Sequence, residues 1–145
     1  MGSGNTLTQA LWKRMSTRQF GPDPLPVELL SNLLWAGFGI NRSDGRRTAP
    51  SAMNWQETDI HVILADGAYV YDAKANRLTL TVPQDLRGLA GRQSYAREAP
   101  VNLIYVSDHS RFGVNVPEDA KLLFSGFHAG AIAQNISLFC AAEGL

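Results

Sequence analysis

The sequence holds a single cysteine, Cys140, so no disulfide can form within the chain. Its three histidines, His61, His109 and His128, and its carboxylates do not offer the spacings of a metal-ligand set, and no structural or catalytic zinc site is expected. Neither sign of charge is in excess. Thirteen basic residues balance thirteen acidic ones, so no overall field would recruit nucleic acid or an anionic membrane, and any anion has to be held locally. No uninterrupted apolar run approaches the roughly 20 residues that span a bilayer. Met1-Gly2-Ser3-Gly4-Asn5 lacks the basic and then apolar pattern of a signal peptide. These absences lead to the expectation of a soluble, cytoplasmic protein. What is present is apolar: 45% of the 145 residues are hydrophobic, enough for one domain over residues 1–145 with a buried core.

Thr6-Leu7-Thr8-Gln9 has the form of a capping box and opens a helix running to about Met15. Gly21 to Pro26 cannot stay helical, but Pro26 suits the first position of a second helix carrying Val27, Leu29, Leu30, Leu33, Leu34 and Phe38. Asn41 to Ala49 is polar and basic and reads as an exposed loop. From Asp59 the pattern becomes extended: His61–Leu64 and Ala68–Tyr71 flank Asp66-Gly67, a hairpin signal, and Arg77–Val82 adds a third strand of an antiparallel meander. Asp85 to about Glu98 reads as a helix stopped by Ala99-Pro100. Val101–Val106 is apolar enough for a buried central strand.

The last element, about Asp119 to Glu143, has Leu123, Phe127, Ala131 and Leu138 on one face and Phe124, Ile132, Ile136 and Phe139 on another. It should be buried nearly all round, with Gly126, Gly130, Ala131 and Ala133 keeping one side thin and Gly144 forming a left-handed cap. A helix of this kind fits a domain centre or a tight subunit interface, and it usually leads into another strand; none follows Leu145.

Two segments carry candidate chemistry. In extended chain, Arg14, Ser16 and Arg18 point the same way and present two guanidinium forks and a hydroxyl, which suits a phosphate. Spacing alone leaves a basic helix end, complementing the helix dipole, as an equal alternative. In Pro50-Ser51-Ala52-Met53-Asn54-Trp55-Gln56, small residues let a flat ring approach the backbone, and Asn54 and Gln56 offer donors and acceptors to a heteroaromatic edge. Alone, it reads equally as a loop leading into the meander.

Taken in order, the segments resemble the nitroreductase-like flavin oxidoreductases. Arg14-x-Ser16-x-Arg18-x-Phe20 is similar to the family's N-terminal flavin-phosphate motif, Pro50–Gln56 to its Pro-Ser-x-x-Asn-x-Gln segment, and Ala131–Leu145 to the end of its long central helix. Gly39-Ile40-Asn41-Arg42 and Tyr71-Asp72-Ala73-Lys74 are similar to the dehydrogenase-like subgroup related to azoline oxidases of peptide maturation. The resemblance implies an α+β fold: a mixed sheet containing the meander, flanked by helices, around a long buried helix. It implies that Arg14, Ser16 and Arg18 bind the ribityl phosphate of FMN, and that Pro50, Ser51, Ala52, Met53, Asn54 and Gln56 line the flavin site, supplied by the other subunit of a homodimer. NAD(P)H as electron donor and a small-molecule or peptide-azoline substrate are implied as well, with the flavin N5 carrying the hydride and no side chain nominated as acid or base. The family's segment after the Gly-Leu helix end is absent here. An incomplete or non-catalytic flavin-binding or dimerisation module is therefore the alternative expectation.

Other patterns are set aside. Asp108-His109-Ser110 lies on one loop, where adjacent side chains cannot form a relay, and is expected to be a surface turn. Leu123–Phe127 lacks the first glycine of a nucleophile elbow, and Gly37-Phe38-Gly39 follows a helix, not a strand. His128 reads as a hydrogen-bonded core histidine and Cys140 as a structural thiol. Trp12, Trp35 and Trp55 are core or interface residues, with Trp55 beside the flavin segment.

Overall fold

The computed structural model describes residues 6–145; Met1 to Asn5, which bear on the missing targeting pattern, lie outside the described residues. Helix α1 (Leu7–Lys13) starts at the expected capping box, with Gln9 N–H donating to Thr6 Oγ1 at 3.2 Å and Thr6 N–H to Gln9 Oε1 at 2.7 Å. After an irregular stretch, α2 (Val27–Phe38) begins one residue later than expected, because Pro26 is extended and caps the helix instead of opening it. Four strands come next, β1 (Thr58–Ile63), β2 (Ala68–Asp72), β3 (Arg77–Val82) and β4 (Asn102–Ser107), with a short α3 (Ser94–Glu98) before β4. The chain closes with α4 (Glu118–Glu143), ended by Gly144 at φ 79°.

The sheet order is β3-β2-β1-β4. The meander is where the hairpin signals put it, with Val62 opposite Tyr69 and Tyr71 opposite Leu78. The α+β class stands, but every strand pair among the described residues is antiparallel, so the chain's own strands do not make a mixed sheet. β4 is an edge strand beside β1, not the expected central strand, and Ile104 and Val106 stand on its exposed face. Its apolar run reflects a second face that nothing among the described residues covers.

The helix expected over Asp85–Glu98 is broken. Asp85 instead accepts the Arg87 backbone N–H at 3.0 Å and two guanidinium N–H groups, a local bond set that competes with helix. Only a single turn at Arg87–Leu89 and α3 form, separated by Gly91.

Leu30, Leu33, Leu34 and Phe38 of α2 pack on Ile60 and Val62 of β1, Tyr71 of β2 and Ile132 of α4 to make the core. Gly37 allows the close approach of α4, since a Cβ there would lie 2.8 Å from Ile136 Cδ1. α4 is long and apolar enough by composition to cross a bilayer, but it packs on α1 and α2 and places Ile132 in the core. It is not buried all round: Leu122, Leu123 and Phe127 are more than half exposed, and the thin side at Gly126 and Gly130 meets open space. Its second apolar face has no cover among the described residues.

Candidate functional site

Ser51 to Gln56 link the loop after α2 to β1 in a backbone path that costs energy. Met53 (φ 50°), Asn54 (φ 56°) and Gln56 (φ 49°) all occupy the left-handed region. Asparagine tolerates that region, but methionine and glutamine do so at a cost of about 1–3 kcal/mol each, which the surroundings must hold in place. Within the loop, Asn54 N–H donates to Ser51 O at 3.0 Å, Trp55 N–H to Ala52 O at 3.1 Å and Gln56 N–H to Ser51 Oγ at 2.8 Å. Gln56 Nε2 donates to both Asn54 Oδ1 (2.8 Å) and Gly45 O (3.1 Å).

External partners finish the restraint. Arg47 Nε donates to Gln56 Oε1 at 2.7 Å, Arg111 to Gln56 O at 3.2 Å, and Ala52 N–H to Nε2 of His128 at 2.9 Å. His128 Nδ1 in turn lies 2.7 Å from Glu57 Oε1, and both side chains are buried. Arg111 is itself fixed by a bidentate pair with Asp59 at 2.6 and 2.8 Å, which with Asp108 raises its pKa. Trp55 is a packing residue here: its ring lies 4.8 Å from Phe112 and 5.4 Å from Phe124, and Phe124 stacks on His128. Met53 and Asn54 project outward, Met53 being 82% exposed. The outcome is a rigid turn that presents a thioether, an amide and backbone at the surface.

Arg14, Ser16 and Arg18 lie in the irregular, exposed connection between α1 and α2. Among the described residues, neither arginine side chain has a hydrogen bond or ion pair, while Arg14 N–H caps α1 by donating to Ala10 O at 2.9 Å. Phe20 anchors the far end of the segment against Tyr95, 6.4 Å between ring centroids. No hydrogen bond, ion pair or ring contact joins this segment to Pro50–Gln56 among the described residues.

The nitroreductase-family model matches residues 11–145. The chain belongs to the nitroreductase family. A protein of Methanocaldococcus jannaschii that carries a provisional nitroreductase name is 28% identical over 149 residues, covering 96% of this chain and 75% of its own length. A crystal structure of a Ralstonia eutropha protein with a similar provisional name is 43% identical with a TM-score of 0.91, covering 98% of this chain and 68% of that one. A third structure, from Desulfovibrio desulfuricans and in complex with FMN, is 26% identical with a TM-score of 0.59 and covers 97% of this chain and 64% of that one.

Within this nitroreductase-family chain, the features set aside from sequence are structural. Asp108 accepts Ser110 N–H and Oγ–H, which lowers its pKa, and His109 bonds Glu118, so no triad is assembled. Leu123–Phe127 lies inside α4, and Gly39 N–H ends α2 on Trp35 O. His128 is the hydrogen-bonded core histidine expected, and burial pushes the Cys140 thiol up. Glu57, Arg47 and Arg111 are the residues that sequence reasoning missed. Their only signal was polar identity beside a predicted strand or loop, which does not tell which loop they hold.

Proposed function

We propose that this chain is an FMN-dependent oxidoreductase of the nitroreductase type, acting on a small-molecule or peptide-azoline substrate. The observation that carries the reading is the strained turn at Met53, Asn54 and Gln56, held by bonds from three separate elements while Met53 and Asn54 remain outward. Strain of this kind collects at ligand sites. The residues fit the group: Arg14, Ser16 and Arg18 would take its phosphate, and Pro50, Ser51, Ala52, Met53, Asn54 and Gln56 would meet the ring. A homodimer with the flavin at its interface, one segment supplied by each copy, is the assembly that the family resemblance implies. The uncovered faces of α4 and of α1, where Leu7, Leu11 and Trp12 are exposed, support it.

When bound, FMN would supply hydride acceptance and donation at N5. The protein's part is to fix the ring and neutralise the phosphate. NAD(P)H is the expected donor. The subgroup related to azoline oxidases rests on Gly39-Ile40-Asn41-Arg42 and Tyr71-Asp72-Ala73-Lys74, and residues of both segments also have local roles: Asp72 accepts the Lys74 and Ala75 N–H groups, and Arg42 donates to Arg47 O at 3.1 Å. The substrate is a small molecule or a peptide azoline.

A second reading, a flavin-binding or dimerisation module without turnover, is favoured by the uncovered β4 edge with Ile104 and Val106. The visible spectrum of the purified protein, with and without added FMN, decides between them. Bound flavin that NADH or NADPH bleaches anaerobically supports the enzyme, bound flavin that neither bleaches supports the module, and colourless protein that takes up no FMN sinks the enzyme reading and leaves only a dimerisation module.

A further inference from the structure

We propose that Glu57 and His128 are positioning residues that lock the turn at residues 51–56 in its ligand-ready form, an inference that rests on the flavin reading of that turn. A backbone N–H can only donate, so the 2.9 Å contact from Ala52 requires a lone pair on His128 Nε2. The proton then sits on Nδ1, and Nδ1–H donates to Glu57 Oε1 at 2.7 Å. Thr58 Oγ1 donates to the same Oε1 at 3.2 Å. One buried ring thus joins the residue just before the left-handed stretch, Ala52, to the residue just after it, Glu57.

The carboxylate is kept at a cost. Glu57 is 0% exposed, and its Oε2 has no hydrogen-bond partner among the described residues. A buried acceptor without a donor is unfavourable, and an apolar side chain of the same volume would pack without that penalty. Directing one tautomer of His128 is what a carboxylate does here and an apolar residue cannot do. Without the ring, Met53, Asn54 and Gln56 lose a restraint and can leave the left-handed region, so the binding-competent population falls and apparent affinity falls with it.

Three measurements test the proposal: the His128 tautomer from long-range proton–nitrogen NMR of the native protein, amide exchange of residues 51–56 in the apoprotein, and FMN affinity. The native ring should carry its proton on Nδ1 at neutral pH, and the opposite tautomer overturns the proposal. His128→Leu should speed loop exchange and raise the FMN Kd by about tenfold, the scale of one lost hydrogen bond, with the Val62 amide in β1 unaffected. His128→Gln, which keeps a donor and an acceptor, should recover most of both losses. Loop protection unchanged in His128→Leu, or β1 loosened equally, or a folded His128→Gln that rescues nothing, each overturns it. If the native protein takes up no FMN, the flavin reading fails while tautomer and exchange still decide the relay; if His128→Leu does not fold, the tautomer and the Gln variant decide it.

Discussion

Arg47 reaches nine positions along the chain to donate from Nε to Gln56 Oε1 at 2.7 Å, while its NH1 donates to Phe38 O at 3.0 Å and its guanidinium lies 4.5 Å over the Phe38 ring. One half-buried side chain therefore ties the end of α2, the basic loop and the strained turn together. Burial lowers its pKa, yet it stays charged, because arginine titrates far above neutral pH.

Arg47→Ala should destabilise the fold by about 2–4 kcal/mol, from lost charge-assisted bonds and ring stacking together. Arg47→Lys should recover only a minor part, because an ammonium cannot reproduce the planar fork. Urea denaturation of the three proteins measures both, and a lysine variant as stable as the native protein would show that charge alone matters.

The contact between α2 and α4 depends on Gly37. In Gly37→Ala the new methyl meets Ile136 Cδ1 and Cγ1 at 2.8 Å, and a β-branched side chain has few rotamers with which to yield. Against a helix-propensity gain of about 1 kcal/mol, the clash should leave a net loss of about 1–2 kcal/mol. Adding Ile136→Val should offset part of the clash, so the double variant should be more stable than the sum of the two single changes predicts, with a coupling of at least about 0.5 kcal/mol in a double-mutant cycle. Strict additivity would mean that α4 shifts freely.

Elements set by local chemistry were legible in the sequence: the Thr6–Gln9 capping box, the Asp66-Gly67 hairpin and the Gly144 cap each depend on a few neighbouring residues. Those set by long-range cover were not. Val101–Val106 and the apolar faces of Asp119–Glu143 read as buried because hydrophobicity records a need for cover without saying which chain supplies it. The Asp85–Glu98 helix failed for a local reason, since Asp85 bonds Arg87 while Gly88 and Gly91 weaken the next turn. At the site, motif residues were readable by type and spacing. The restraint from Glu57, Arg47 and Arg111 was not, because Glu57 and His128 meet only after 71 positions of chain have folded.

Alkaline pH should weaken the fold. Burial, with a smaller contribution from Cys140, pushes the Tyr105 phenol up to about 12. A group whose pKa is raised by folding gives its stability in full below the unfolded value, near 10, and loses it as pH rises toward about 12. The limb is worth about 1–2 kcal/mol once partial exposure is discounted. Tyr105→Phe should flatten the fall in stability between pH 10 and 12 without removing it, because burial also raises Tyr71 and Cys140. Chemical denaturation across that range measures the difference, and identical pH profiles would show that Tyr105 ionises as freely as in the unfolded chain.

Arg14 and Arg18 separate binding from stability. Neither side chain bonds any described residue, so Arg14→Ala and Arg18→Ala should each change folding stability by less than about 0.5 kcal/mol. If these arginines grip the FMN phosphate, each substitution should weaken FMN binding by about 1–3 kcal/mol, the scale of a charge-assisted hydrogen bond. Substitution by lysine should restore charge but not the paired geometry, and so recover part of the loss. Flavin fluorescence titration gives affinity and thermal melting gives stability on the same samples. The alternative role, a basic helix end that complements the dipole of α1, makes the opposite forecast: a small loss of stability, confined to low salt, with FMN affinity unchanged. The two accounts therefore part on which quantity moves, and a chain whose FMN affinity survives both alanine substitutions holds its phosphate elsewhere.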